Sequence, residues 1–245
     1  YLGRVAGALG WRVQLACLRL PQRALCFSRL HELRLRELGL SGSLTRLEGQ
    51  YAGPPAPSKP APARPVVVFA GRHIPEKRVA ALVPALVRAR SEIPELRGEL
   101  YGDGPERPRL LTAIAECDAG EFVVAPGFVD GAVLERALAS ALCLALPSRR
   151  EGYGLVVVES SSRGVPSIVS AGPDNAASEL VEDGVNGVIA ESADPAALAD
   201  AVVRVHRAGA ELRRTTLEWF RRNEERLSLE RSVEIVAAAY ASADS

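Results

Sequence analysis

Val66-Val67-Val68-Phe69-Ala70-Gly71-Arg72-His73-Ile74-Pro75-Glu76-Lys77 is the stretch on which the fold turns. Val66–Phe69 is a short run of β-branched and aromatic residues with no polar alternation, the pattern of a strand buried on both faces. Gly71 breaks it, and a helix is expected from about Glu76 to Arg90. Outward from there the alternation repeats. Strands are expected at Glu99–Tyr101, Phe122–Ala125, Cys143–Leu146 and Ser167–Val169, each separated by enough chain for a crossover helix. Such an order predicts an α/β domain with a mostly parallel sheet covered on both faces.

Before that domain, residues 52–65 read AGPPAPSKPAPARP, within a linker expected at 51–65. Repeated proline removes amide donors and holds the preceding residues extended, so this segment cannot build a core. Residues 1–50 do not read as a complete domain. They offer an amphipathic stretch over Tyr1–Leu20, strands near Ala24–Phe27 and Leu44–Glu48, and a helix around Leu30–Leu38, all needing another surface to bury their apolar sides. After the sheet, helices are expected at Ala196–His206, Glu211–Asn223 and Leu229–Tyr240. The last carries an apolar face through Val233, Val236 and Tyr240. The expected division is 1–50, 51–65, 66–228 and 229–245.

The chain has 245 residues and a formal net charge of zero, yet residues 1–50 hold eight Arg against three Glu, a formal +5 that leaves −5 for the rest. Overall balance argues against a general nucleic-acid binder, while the basic end suits a peripheral contact with the inner membrane face. The cysteines at 17, 26, 117 and 143 lack the paired spacing of a zinc site, which predicts reduced thiols. No apolar run reaches about 18 residues, the length that spans a bilayer, and Arg4, Arg12 and Arg19 spoil a signal-peptide reading. The cytoplasm is the expected compartment.

Three loops fall where ligands bind in open parallel sheets, past the carboxyl ends of the strands. They are Gly71–Lys77, Gly102-Asp103-Gly104-Pro105 and Pro147–Leu155 (PSRREGYGL). Arg72 and Lys77 bring two cations to one loop, a charge that suits a diphosphate. Gly152 and Gly154 bracket Tyr153, letting backbone approach a ligand just before a helix expected from Leu155 to Arg163, although Val156–Val158 would also suit a strand. Glu151 and Glu159 are carboxylates able to accept from vicinal hydroxyls. Each of these residues also has an ordinary reading as surface charge, cap or tight turn, and His73 reads better as a packed histidine than as a base.

Taken together, GRHIPEK at 71–77, GDGPE at 102–106, PSRREGYGLVVVES at 147–160, SRGVPSIVS at 162–170 and DNAASELVEDGVNG at 174–187 resemble the retaining two-domain (GT-B type) glycosyltransferases of family 4, the glycosyl transferases group 1. The resemblance implies a Rossmann-like donor domain with an incomplete N-terminal domain, and transfer of a sugar from a nucleoside-diphosphate-sugar donor to an acceptor hydroxyl of a lipid, saccharide or small molecule. It further implies that Arg72 and Lys77 hold the pyrophosphate, Glu159 the ribose and Glu151 the donor sugar. Gly152, Tyr153, Gly154 and Leu155 form the turn around the sugar and phosphate, and Val129, in Gly127-Phe128-Val129, receives the base. The catalytic set is then Glu151, Arg72 and Lys77, with no cofactor and no metal needed.

ALCFSRLHELRLRELGL at 24–40 and SLTRLEG at 43–49 resemble the family's crossing between domains, with Ser28 at the usual serine and Glu48 in place of the usual Asn. The final helix resembles the one that returns to the first domain. Two other readings compete. A noncatalytic nucleotide-sugar-binding or assembly module would share the donor site, whereas an NAD-dependent dehydrogenase lacks its Gly-x-Gly-x-x-Gly turn here.

Overall fold

A computed structural model describes residues 4–20 and 22–241; Tyr1–Gly3, Pro21 and the last four residues of the expected terminal segment lie outside them. Helix α1 (Arg4–Leu18) leads into β1 (Gln22–Cys26), α2 (Arg29–Glu37) and β2 (Gly42–Arg46). Ser28 starts α2 by accepting from the His31 amide at 3.2 Å, a side-chain cap for an otherwise unpaired donor. β1 and β2 pair in parallel with Ala24 opposite Leu44, each lying about two residues earlier than its sequence pattern suggests. Leu25, Phe27 and Leu33 stay exposed on this small unit. Residues 52–65 run without regular structure, as their prolines require.

Thereafter β3 (Val66–Ala70), α3 (Leu82–Ala89), β4 (Arg97–Tyr101), α4 (Arg107–Glu116), β5 (Val123–Gly127), α5 (Gly131–Ala139) and β6 (Cys143–Leu146) alternate. They are followed by β7 (Arg150–Glu151), α6 (Leu155–Ser161), β8 (Ser167–Ser170), β9 (Asp174–Asn175), β10 (Gly187–Ala190), α7 (Pro195–Leu227) and α8 (Leu229–Ala241). Six strands form one parallel sheet in the order β10-β8-β6-β3-β4-β5. Val67, Val68 and Phe69 of the central strand are wholly buried, each contributing about 2 kcal/mol over leaving it in water. The order reverses between β3 and β6, so the crevice at their carboxyl ends is where such a sheet receives a ligand.

Three expectations need correction. The helix expected from Glu76 begins at Leu82, because Arg78 takes a left-handed φ of 50° between two short 3₁₀ turns, Pro75–Lys77 and Val79–Ala81. The sheet has a sixth strand, β10, whose brief run after a turn carries little sequence signal. β7 and β9, absent from the sequence reading, pair as a two-residue ladder with Arg150 opposite Asp174. The two helices expected at 196–206 and 211–223 are both present, joined end to end within α7 across a kink at Gly209, whose φ of 58° and ψ of −137° are not helical.

The apolar face of α8 is open among the described residues, with Tyr240 72% exposed. Its buried residue is Ser232, whose hydroxyl donates to the Gly49 carbonyl at 2.7 Å and accepts from the Gly49 amide at 3.2 Å. The segment before the linker and the end of the chain are thus joined by polar contacts. Tyr51 adds to the join by donating its amide to the Leu227 carbonyl at 2.9 Å.

Candidate functional site

The loops past β3, β4, β5 and β6 are laced together by backbone hydrogen bonds. Gly71 donates to the Tyr101 carbonyl at 3.2 Å, His73 to Asp103 at 2.8 Å, Gly102 to Gly127 at 2.9 Å, and Arg149 to Glu76 at 2.8 Å. Segments distant in sequence therefore share one rigid rim. His73 lies beneath it, fully buried, its ring 5.8 Å from that of Phe69. Burial holds its imidazole below the usual histidine range, so it stays neutral inside the rim.

Arg72 and Val129 meet at a cavity of about 300 Å³ lined also by Tyr101, Asp103, Phe128 and Leu134. Arg72 is exposed there, and Phe128, 86% exposed, stands at the mouth. Next to this cavity in sequence but on a separate cluster, the Lys77 ammonium donates to a carboxylate oxygen of Glu151. The same oxygen accepts from the Ser148 hydroxyl at 3.0 Å, while the Glu151 side chain is only 9% exposed. Two donors on one oxygen leave the other lone pairs of Glu151 for a ligand. Lys77 reaches this position from a 3₁₀ turn, where its expected helix has not yet begun.

After Glu151 the chain turns through Gly152, Tyr153 and Gly154 into α6. Gly154 has φ 100°, and a Cβ there would lie 2.7 Å from that of Ala177, so both conformation and space call for glycine. α6 begins at Leu155 without a side-chain cap. Tyr153 faces elsewhere: its hydroxyl donates to the Glu48 carbonyl, and burial pushes its pKa up to about 12. Only its backbone belongs to the turn. Glu159 sits one helical pitch further on, half-buried, and outside the cavity wall that Arg72 and Val129 share. Burial raises its pKa first, with nearby Arg163 working against that shift and Glu135 adding to it.

Two supports escaped the sequence reading. Asn175, 2% exposed, donates to the carbonyls of Ser148 at 3.2 Å and Ser170 at 2.8 Å, and accepts from the Ala177 amide at 3.1 Å. It fixes the loop that carries Glu151; its place in DNAASEL was visible, its partners were not. From the N-terminal unit, α2 closes over the same region. Glu179 accepts from the amides of Arg29 and Leu30 at 2.8 and 2.7 Å, Arg34 pairs with Asp174, and His31 lies beside Gly152. The Arg34 guanidinium holds Asp174 below the usual carboxylate range. Among the described residues no group of three or more His, Cys, Asp or Glu is placed to hold a metal, and no helix is long and apolar enough to cross a membrane.

The family model for glycosyl transferases group 1 matches residues 64–208, more than half of the chain. A GDP-mannose-dependent α-(1-6)-phosphatidylinositol monomannoside mannosyltransferase of Mycolicibacterium smegmatis is 33% identical over 146 residues, 57% of this chain and 38% of that protein. A D-inositol 3-phosphate glycosyltransferase of Geodermatophilus obscurus is 32% identical over 190 residues, 73% of this chain and 40% of that protein. The chain thus spans two fifths or less of these curated relatives. Among solved structures, sucrose-phosphate synthase from Thermosynechococcus elongatus superposes with a TM-score of 0.80 at 23% identity, covering 96% of this chain and 61% of that one. Anabaena HepE in complex with UDP also gives 0.80, at 20% identity, covering 96% and 68%. These last two establish likeness of fold. With its sheet order, its loop motifs and the match over 64–208, the chain belongs to the glycosyl transferases group 1 family, of GT-B type.

Proposed function

We propose that this chain supplies the donor site of a retaining glycosyltransferase, which moves a sugar from a nucleoside diphosphate to an acceptor hydroxyl. The observation that carries this reading is the half-buried Lys77–Glu151 pair, on the loops past the two strands between which the sheet order reverses, with Arg72 of the same Gly71–Lys77 loop edging a cavity. In this reading the cavity at Val129 and Phe128 takes the base, Glu159 accepts from the ribose hydroxyls, and the free lone pairs of Glu151 accept from the sugar. Arg72 and Lys77 meet the diphosphate.

Negative charge grows on that diphosphate as the glycosidic bond breaks, so cations held there act most strongly where the charge changes most. They stand in the role a divalent metal takes elsewhere. Glu151, already engaged by Lys77 and Ser148, orients the sugar in this scheme and is not cast as a nucleophile. Retention follows from attack on the face that the diphosphate leaves. Relatives include a GDP-mannose-dependent mannosyltransferase and a UDP-N-acetylglucosamine–peptide N-acetylglucosaminyltransferase, which supports a nucleoside diphosphate as the shared class.

Calorimetry with UDP, GDP and ADP, their monophosphates and their sugars tests the reading, followed by mass spectrometry across an acceptor panel. A diphosphate should bind more tightly than its monophosphate, and Arg72→Ala should erase that preference. Equal affinity for mono- and diphosphates in the unaltered protein would overturn the phosphate assignment. Donor binding without transfer or slow donor hydrolysis would leave a noncatalytic binding module instead.

A further inference from the structure

At the opposite pole, by the amino ends of β3 and β6, the Pro- and Ala-rich segment 60–65 and α7 border a second, half-open cavity of about 560 Å³. Pro60, Pro62, Leu142 and Val205 give it apolar walls, and the break of α7 at Gly209 opens onto it. Arg213 also lines it, at only 4% exposure. Its terminal nitrogens donate to the carbonyls of Ala141 at 2.6 Å and Ala139 at 3.0 Å, while its buried Nε has no partner. Carbonyl dipoles are therefore all that this guanidinium has in place of a counter-ion.

The surrounding groups do not change that. Burial draws Arg213 down to about 10, which leaves it charged at neutral pH, and pushes the neighbouring Cys143 thiol up to about 12, which leaves it neutral. Arg214 is taken up by Glu211 and Glu218, and Arg64 approaches Glu99 at 4.0 Å. His206 and Glu95 are exposed to water at the mouth. A buried cation without a carboxylate, set against apolar walls, is complementary to an anion with an apolar body.

We propose that this cavity binds a small aliphatic monocarboxylate, its carboxylate set against Arg213 and its hydrocarbon chain along Pro60, Pro62, Leu142 and Val205. The occupant would bridge the linker and α7, well away from the donor loops, and the proposal stands whether or not the donor reading does.

Calorimetry with sodium decanoate, 1-decanol and sodium acetate separates charge from chain. Decanoate should saturate at one per chain and bind about tenfold more tightly than decanol, the scale of one charge-assisted contact, with acetate weaker still. Ala210→Trp, at an exposed position on the cavity wall, should abolish decanoate binding while the thermal transition is kept. Arg213→Met, if it folds, should bind decanoate and decanol alike; if it does not fold, Ala210→Trp decides. Equal binding of decanoate and decanol by the unaltered protein, or decanoate binding that survives Ala210→Trp and so belongs to the exposed apolar residues of the N-terminal unit, would overturn the proposal.

Discussion

At the scale of single residues, the two glutamates of the EGYG motif region live in different surroundings and should answer differently to substitution. Glu151 has a cation and a hydroxyl on one oxygen; the Glu159 carboxylate has burial, with Arg163 donating to the Glu159 backbone carbonyl at 2.7 Å instead of to the carboxylate. Glu151→Gln is expected to weaken binding of a nucleotide sugar by about tenfold or more while changing free nucleotide less, since a weaker acceptor then faces the sugar. Matched titrations with the two ligands measure the split. For Glu159 the folded-state pKa is raised above its ordinary 4.5, so the folded protein holds more protons than the unfolded chain across that window. Stability therefore falls as pH rises from 4.5 through the folded value. Glu159→Gln should remove this slope and raise the melting temperature above the window, while weakening nucleotide binding through loss of an acceptor for the ribose. Thermal scans from pH 4 to 7 check the first half, in which unchanged slopes would contradict the assigned burial cause.

Among the elements, the strand-to-helix turn at Gly154 is the tightest constraint near the site. Gly154→Ala is expected to cost about 1–3 kcal/mol, from an unfavourable φ and a contact with Ala177, and to lower donor affinity because the start of α6 must shift. Denaturant unfolding and donor titration together test it. Much of this level was legible beforehand. Val66–Phe69 and Cys143–Leu146 announced themselves because strands buried on both faces are uninterrupted apolar runs. Val156–Val158, which favour strand by type, lie in a helix because the sheet needs a crossover between β6 and β8. Three things were not legible. Arg78 adopts a positive φ that nothing local announces, β10 opens on Gly187 straight after the Asp183-Gly184-Val185-Asn186 turn and so reads as part of that turn, and Asn175 matters through partners at positions 148 and 170. Motif spacing singled out Arg72 and Glu151 as candidates; which of their neighbours share a cavity and which share an ion pair came only from the packing.

For the whole molecule, the contacts between α2 and the segment from Gly152 to Glu179 decide how the N-terminal unit is held. Glu179 satisfies two amides at the start of α2, a place where backbone donors have no partner within the helix. Glu179→Ala should speed hydrogen exchange in α2 and β1 by about tenfold while leaving the six-stranded sheet unchanged. Equal acceleration in β3 and β6 would mean that the two regions open as one. The order of the sheet has a consequence of a different kind, for synthesis. β3 emerges first; β4 and β5 then add outward on one side, and β6, β8 and β10 add outward on the other. A chain leaving the ribosome thus always meets a free edge and never has to force a strand between two already paired, so the sheet can assemble in the direction in which it is translated.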